Sequence, residues 1–301
     1  MYQNNVHIEI GYEKIWLDLH LIHKTMEVCA LIWTYNPEIR LLERTVSAAL
    51  ENADFVLLID NGSKNGDEIR KLESERVKVI HLPENLGVEA INIGLGILTK
   101  SYSWVLILDD DSIIAKPNAI GEVLRRYAKL PQRIREKIAV ISISDLESIP
   151  STLKRRLRAL SASTFVVHHD AVMFSGAIVK ANVISQLGIH VEKDLFLDHA
   201  DTDFFIQLRK SGYITVLYVK PLLKHRHGIP LTKPINFFSY RITSTTRPFR
   251  LYYITRNATY LLFKRRITPV QWIFSIARFA IPLLLYRPIR TIKAMTLGLV
   301  H

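Results

Sequence analysis

Residues 104–112 read WVLILDDDS, which is the most informative stretch of the sequence for its fold class. Four apolar residues from Val105 to Leu108 predict a buried strand, and three consecutive carboxylates follow it directly. Like charges this close repel one another unless a cation neutralises them. Hard divalent ions such as Mg²⁺ or Mn²⁺ bridge carboxylate and phosphate oxygens. The stretch therefore predicts a strand that ends at a metal site, with a solvated acidic turn as the alternative.

Three further apolar runs precede this strand, and helical patterns separate them. The predicted strands cover 28–33, 55–59 and 77–81, and the predicted helices cover 38–51, 67–75 and 88–98. All four strands are apolar throughout rather than alternating, which is typical of a parallel sheet covered by helices on both faces. The sequence thus predicts an α/β fold with a Rossmann-like, mostly parallel sheet.

The order of elements is looser after Asp111. We predict a helix at 119–129, a strand at 138–143, a polar and basic loop at 145–165, a strand or turn at 171–179, helices at 181–187 and within 199–212, and a strand at 213–219. From Pro230 onward the pattern is aromatic, basic and helical. We therefore divide the chain into an appendage at 1–25, a catalytic domain at 26–228 and a C-terminal helical region at 229–301.

The charge of the 301-residue chain is unevenly distributed. Residues 229–301 contain twelve Lys or Arg and no Asp or Glu, whereas the rest of the chain holds 28 basic and 28 acidic residues. Its whole excess of +12 therefore lies in the C-terminal quarter. The single cysteine, Cys29, excludes an intramolecular disulfide and a multi-cysteine zinc site. With no signal-peptide pattern at the N-terminus, we expect a cytosolic protein.

Polar side chains follow each of the first four strands. They are Thr34, Tyr35 and Asn36, then Asp60, then Asn85, then Asp109 to Asp111. Ligands of open α/β sheets bind beyond the carboxyl ends of the strands, although any one of these residues could simply start a turn. The sequence has neither a P-loop nor a dinucleotide fingerprint, so we expect a metal to hold the diphosphate of a bound nucleotide.

Two more clusters complete the candidate site. In LDHADTDFF, Asp198 and Asp201 would share one face of a helix and Asp203 would point away. The helix dipole would keep a carboxylate there ionised, as a general base requires, and helix capping is the alternative. In HRHG, His225 and His227 are two residues apart after a strand and could both face a metal.

These strings resemble the family 2 glycosyltransferases of the GT-A fold, in particular their rhamnosyltransferase and galactofuranosyltransferase-like branch. The likeness runs from about Glu27 to Arg265. The matching strings are ALIWTYNP, LLIDNGS, NLGVEAINIG, LILDDDS, FSGAIVKANVISQLG, LFLDHADTDFFIQLRKSGY, HRHG and LYYITRN. Two departures are that Glu89 and Asn92 alter the NLGVEAINIG loop, and that Asp110 stands where the rhamnosyltransferase branch often has an amide.

The resemblance implies a role for each matching position. Asp201 would be the catalytic base, and Asp109, Asp111 and His225 would bind Mg²⁺ or Mn²⁺. The nucleotide sugar would contact Thr34, Tyr35, Asn36, Asp60, Asn85, Asp109 and Asp110, and the acceptor side would include Gly176, Asp198 and His227. The implied activity is an inverting transfer of a rhamnose- or galactofuranose-like sugar from a UDP, dTDP or GDP donor. The acceptor would be a hydroxyl of a glycan or a lipid-linked molecule in cell-surface polysaccharide synthesis.

The C-terminal region suggests attachment to a membrane. Residues 269–286 are apolar but interrupted by Arg278 and Pro282, and basic clusters flank them. This pattern is typical of a monotopic amphipathic attachment to an anionic surface, here the inner face of the cell membrane. A lid on the catalytic domain or a homo-oligomer interface would explain the same residues and could coexist with it.

Other activities fit less of the sequence. A sugar nucleotidyltransferase would have a glycine-rich loop after the first strand, where TYNPEIR stands instead. A non-enzymatic basic protein that binds a membrane or nucleic acid would account for the charge but not for the polar strand ends, and we expect no nucleic-acid partner.

Overall fold

The computed structural model describes residues 5–10, 13–18, 28–143, 164–168, 172–225, 229–237 and 240–301. Within the N-terminal appendage, β1 (Asn5–Ile10) and β2 (Glu13–Asp18) form an antiparallel pair. The basic loop predicted at 145–165 lies outside the described residues apart from its last two positions.

The first half of the main sheet follows the prediction closely. Its elements are β3 (Val28–Thr34), α1 (Ile39–Leu50), β4 (Phe55–Asp60), α2 (Gly66–Arg70), β5 (Val77–His81), α3 (Glu89–Leu98) and β6 (Trp104–Asp109). The four strands pair in parallel in the order β5-β4-β3-β6. Their carboxyl ends therefore meet at one edge of the sheet.

The uniformly apolar strands are explained by burial on both faces of the sheet. Along β3, Cys29 and Leu31 belong to one buried cluster, and Ala30 and Ile32 belong to the cluster on the opposite face. Successive side chains of a strand point to opposite faces, so a strand covered on both sides needs no polar position. The helices that cover the sheet leave only its edges for polar chemistry.

The second half adds strands of mixed direction. Its elements are β7 (Ile113–Ile114), α4 (Ala119–Ala128), α5 (Gln132–Arg135), β8 (Ile138–Ile143), β9 (Phe165–His168), β10 (Ala177–Lys180), α6 (Ala181–Leu187), α7 (Ala200–Lys210), β11 (Ile214–Tyr218) and β12 (Leu223–Lys224). Among the described residues the sheet has eight strands in the order β5-β4-β3-β6-β10-β8-β11-β9. Strand β10 is antiparallel to both of its neighbours.

The C-terminal region differs from the prediction at its start. Residues expected to be helical from Pro230 form an antiparallel hairpin of β13 (Ile229–Phe237) and β14 (Tyr240–Thr245). The prediction of helix was wrong there because the aromatic and basic texture hid the β-branched run ITSTT, which favours strand. Proline is tolerated in a two-stranded ribbon because each strand has an unpaired edge.

Three helices follow the hairpin. They are α8 (Pro248–Phe263), α9 (Pro269–Tyr286) and α10 (Pro288–Val300). Each starts with proline, which suits the first helical position, and Thr268 and Gln271 close a capping box on α9. Among the described helices, α9 alone is long and apolar enough to cross a membrane, with 18 residues, a mean hydropathy of 1.3 and 22% of its length buried.

Candidate active site

The Asp-rich end of β6 and the histidine of HRHG meet in space. His225 Nδ1 lies 3.0 Å from Asp111 Oδ1, and His225 Nε2 lies 3.8 Å from Asp109 Oδ2. One potential ligand atom from each of the three residues lies within 4.8 Å of the others. The structure thus brings together the three residues that the sequence assigned to a metal.

A small antiparallel pairing produces this convergence. Strand β7 follows Asp111 and pairs with β12, so that Ile113 lies opposite Lys224 and His225 comes next in the chain. Ser112 Oγ is 2.8 Å from His225 Nδ1 and accepts a 2.5 Å hydrogen bond from Ser175 Oγ. These serines, which the sequence analysis missed, fix the imidazole ring from the side, as outer partners of metal-binding histidines do.

The chemistry of the cluster fits a hard divalent cation. Its donor atoms are carboxylate oxygen and imidazole nitrogen, which suit Mg²⁺ or Mn²⁺. Asp111 Oδ1 is buried; it lies 3.0 Å from His225 Nδ1 but makes no aligned hydrogen bond to a described residue, so it can still bind a cation. Desolvation raises the pKa of Asp109, the charge of His225 lowers it, and Asp111 raises it again. A bound cation would relieve this repulsion.

Asp110 makes hydrogen bonds with residues of β3 and α1 and is not one of the three residues of this cluster. Its Oδ2 accepts a 2.6 Å hydrogen bond from Thr34 Oγ1, and its carbonyl accepts one of 3.0 Å from Thr45 Oγ1. Desolvation raises the pKa of Asp110 to about 6. Thr34 is only 2% exposed and its hydroxyl is engaged, so in this structure it supports Asp110, whereas Tyr35 is 48% exposed and open to a ligand. The nucleotide contacts of Thr34 and Tyr35 stay predictions.

Asp60 and Asn36 organise the loops beside the cluster. Asp60 is buried, with Oδ2 2.8 Å from His81 Nδ1 and Oδ1 accepting a hydrogen bond from the Ser63 backbone N–H. Asn36 has a φ of 50°, donates its N–H to Ser63 Oγ and accepts from the Lys64 N–H. His81 was missed by the sequence analysis, although it lies opposite Asp60 in the β4–β5 register.

Asn85 also acts within its own loop. Its Oδ1 accepts hydrogen bonds from Asn61 Nδ2 at 3.0 Å and from the Gly87 N–H at 2.9 Å. Gly87 has a φ of 59°, and a Cβ there would lie 2.2 Å from the Phe196 carbonyl oxygen. The loop after β5 is thereby pressed against the segment that leads to α7.

The acidic segment LDHADTDFF is arranged differently from the prediction. Helix α7 begins at Ala200, whereas Asp198 and His199 precede it with φ angles of 54° and 61°. The prediction that Asp198 and Asp201 share a helix face was therefore wrong, because left-handed residues end the preceding loop. Asp203 points into the protein, where it is buried and lies 3.4 Å from Arg266 Nη1.

Asp201 is the carboxylate of this segment whose charge interacts with Asp109. Desolvation raises its pKa to about 6, hydrogen bonds from Thr202 lower it, and the charges of Asp198 and Asp109 raise it. The expected effect of the helix dipole is thus outweighed by burial. The interaction with Asp109 places Asp201 within electrostatic reach of the metal cluster.

Helix α8 holds the loop that carries Asp198. Arg250 donates two hydrogen bonds to the Asp198 carboxylate, at 3.1 and 2.6 Å. The buried Asn257 amide donates to the backbone carbonyls of Leu195, Leu197 and Asp198. The string LYYITRN contains Asn257 and directly follows Arg250 but does not reveal these roles, since the partners are 52 to 62 residues away in the chain and only the fold joins them.

The remaining acceptor-side predictions have different outcomes. Gly176 has a φ of 86°, and a Cβ there would lie 2.4 Å from the Ile143 carbonyl oxygen, so the turn after Ser175 requires glycine. This turn lies next to the Ser175 hydroxyl that receives the Asp109 N–H. His227 lies outside the described residues.

The fold and the strand-end cluster define the GT-A class. The family of glycosyl transferases described as family 2 matches residues 29–175. The dTDP-rhamnosyl transferase RfbF of Shigella flexneri is 27% identical over 250 residues, which cover 80% of this chain and 81% of that protein. The first 349 residues of S. aureus TarS superpose with a TM-score of 0.51 at 14% identity, over 88% of this chain and 73% of TarS. A TarS complex with UDP-GlcNAc gives a TM-score of 0.51 at 14% identity, over 89% and 79%.

The chain is therefore similar to glycosyl transferase family 2 over residues 29–175 and to a rhamnosyltransferase over most of its length. It is a glycosyltransferase, as the resemblance implied. The two alternatives, a sugar nucleotidyltransferase and a non-enzymatic binding protein, do not describe its activity.

Proposed function

We propose that the protein is an inverting, divalent-metal-dependent glycosyltransferase that uses a nucleoside diphosphate sugar. The observation that carries the proposal is the meeting of Asp109, Asp111 and His225 at the carboxyl edge of the sheet, with Asp201 in electrostatic reach. Parallel α/β sheets bind ligands at this edge. The acceptor is a hydroxyl of a glycan or of a lipid-linked molecule in cell-surface polysaccharide synthesis.

Two charged groups would act on the two ends of the reacting bond system: a bound cation on the leaving group and the Asp201 carboxylate on the acceptor. Asp109, Asp111 and His225 would hold Mg²⁺ or Mn²⁺, which supplies positive charge to the diphosphate leaving group. Asp201 accepts the proton of the acceptor hydroxyl, and that oxygen attacks the anomeric carbon from the side opposite the diphosphate. A mechanism with one base and with no covalent nucleophile assigned among the described residues predicts inversion at the anomeric carbon.

The donor we propose is a dTDP-sugar of the rhamnose type. The support is the name of the relative from Shigella flexneri, which spans most of this chain. UDP-sugars are the second candidate, because TarS structures contain UDP and UDP-GlcNAc. A galactofuranose-like sugar on UDP belongs to this second group.

A thermal-shift comparison tests the donor. In the presence of Mn²⁺, dTDP-rhamnose should raise the melting temperature, since a ligand that binds only the folded state stabilises it by about 2.7 kcal/mol at a hundred times its Kd. GDP-mannose and UDP-GlcNAc serve as matched comparisons, and EDTA should remove the shift. A larger shift with UDP-GlcNAc would transfer the assignment to UDP-sugars, and no shift with any nucleotide sugar would contradict the proposal.

The transfer rate should depend on the protonation of Asp201. Because desolvation raises its pKa to about 6, with Asp198 and Asp109 adding negative charge, the base is ionised above that pH and protonated below it. The positive charge of Arg250 also acts on Asp201. We expect kcat at saturating metal and donor to fall as the pH decreases through about 6.

Donor binding measured over the same pH range is the control, because it reports the protonation of Asp109 and Asp110, whose pKa values are also raised, separately from that of Asp201. A kcat that stays level down to pH 5 while donor binding is maintained would exclude Asp201 as the base.

We further propose that the protein works in the cytoplasm, attached to the inner face of the cell membrane through its C-terminal helices. Large apolar side chains are exposed there, among them Phe263 at 81% and Ile289 at 82%. The surrounding residues 229–301 carry twelve Lys or Arg and no acid. Each such cation near an anionic leaflet contributes about 1 kcal/mol to binding.

Liposome flotation tests this attachment with the full-length chain. The protein should float with vesicles containing phosphatidylglycerol and less with neutral vesicles. Phe263→Gln combined with Ile289→Gln should reduce the floating fraction several-fold, while the matched control Ile134→Gln, on the remote helix α5, should not. Unchanged flotation of the double variant would refute the attachment, and a change in elution volume instead would indicate a homo-oligomer interface.

A further inference from the structure

A cavity of about 490 Å³ opens on the side of the metal cluster formed by the start of α1. Asp111 and His225 line this cavity together with three cationic residues, Arg40, Arg44 and Lys224. The volume lies within the range of about 300–1,000 Å³ that small-molecule sites occupy. These three cations have no role in the metal cluster or in the proton transfer described above.

The three cations come from two elements that meet at the cluster. Arg40 and Arg44 are four residues apart on α1 and so lie on one helical face. Lys224 ends β12 and immediately precedes His225. All three side chains are exposed, and in the described part of the chain no ion pair engages any of them.

The backbone adds to the positive potential of this cavity. Helix α1 has twelve residues, and Glu38, its N-cap, makes no side-chain hydrogen bond to the first turn. The free N–H groups and the dipole at a helix N-terminus favour an anion. Glu38 contributes one negative charge to the lining, whereas three cationic side chains and the helix N-terminus contribute positive charge. The balance remains positive once a cation neutralises Asp111.

We propose that Arg40, Arg44 and Lys224 form a phosphate-binding subsite that continues the metal cluster. The inference rests on the proposed function, because the metal cluster defines one end of the subsite. Guanidinium groups bind phosphate oxygens in pairs, and Lys224 adds a point charge. The phosphate belongs either to the diphosphate of the donor or to a phosphate that carries a lipid-linked acceptor.

Binding of inorganic pyrophosphate tests the subsite without turnover. Calorimetric titration with Mg²⁺ present should show a Kd at least tenfold higher for the double variant Arg40→Gln/Arg44→Gln and for Lys224→Gln than for the unaltered chain. The matched control Arg125→Gln/Arg133→Gln removes two charges from α4 and α5 and should leave the Kd unchanged. An equal Kd in the subsite variants and the control would overturn the proposal.

Steady-state kinetics of the same variants distinguish the two sources of phosphate. A raised KM for the nucleotide sugar supports the donor diphosphate, and a raised KM for a lipid-phosphate acceptor supports the acceptor. Unchanged KM for both, despite weakened pyrophosphate binding, would overturn a role in the reaction. If the unaltered chain transfers no sugar, the proposed function fails, whereas the pyrophosphate titration still decides whether the subsite exists.

Discussion

Asp201→Asn should reduce kcat for sugar transfer by about 10²–10⁴-fold, the usual contribution of a general base. The substitution keeps the shape of the side chain and the acceptor atom for the Thr202 N–H, but it removes the proton acceptor. The donor should still bind with a Kd within about twofold of the original, because Asp109, Asp111 and His225 are unchanged. Single-turnover transfer and equilibrium donor binding measure the two quantities separately.

Asp203→Asn is the matched control for this experiment. Asp203 lies two residues further along the same helix, but its carboxylate is buried against Arg266 and accepts a hydrogen bond from Gln207. Its substitution should lower the melting temperature while kcat changes only a few-fold. Near-normal turnover of Asp201→Asn, or an equal loss in both variants, would remove Asp201 from the role of base.

The core of the sheet was predictable because each of its strands is marked by a short stretch of consecutive apolar residues. Strands β3 to β6 are covered on both faces, so each appears as an unbroken apolar run, and their polar ends follow from the topology of parallel sheets. That rule alone places Asp109 and Asp111 at the carboxyl edge of the sheet. The HRHG pattern offered His225 and His227 as metal ligands, and the resemblance selected His225, which follows β12 to the same place.

The parts that could not be predicted depend on long-range contacts or on backbone conformation. Asn257 and Arg250 look ordinary within an aromatic helix, and only packing against the loop at 195–198 gives them a role. Asp198 and His199 adopt a left-handed conformation, so the helix begins only after them. Neither residue is a glycine or proline, which would have indicated this start in the sequence. Sequence periodicity contains no information on either feature.

His225→Ala should weaken metal-dependent donor binding by more than the 10–100-fold that loss of an outer partner of a metal ligand costs. The imidazole lies 3.0 Å from Asp111 and 3.8 Å from Asp109, so its loss leaves two repelling carboxylates with a more open cation site. Mn²⁺ binding, followed by the loss of the free-ion electron paramagnetic resonance signal, should weaken in parallel.

Ser112→Ala provides a graded comparison with His225→Ala. It keeps all three candidate ligands but removes the hydroxyl 2.8 Å from His225 Nδ1, so we expect a smaller loss, within about 10–100-fold. Circular dichroism should show both variants folded. Equal Mn²⁺ affinity in the unaltered chain and in His225→Ala would contradict the assignment of His225 as a ligand.

The most direct test of the account is anomalous diffraction from crystals of the protein grown with Mn²⁺ and dTDP. We expect an anomalous peak among Asp109, Asp111 and His225, with the nucleotide diphosphate beside it and the Asp201 carboxylate facing the same pocket. A nucleotide bound elsewhere, or a manganese peak away from these three residues, would contradict it.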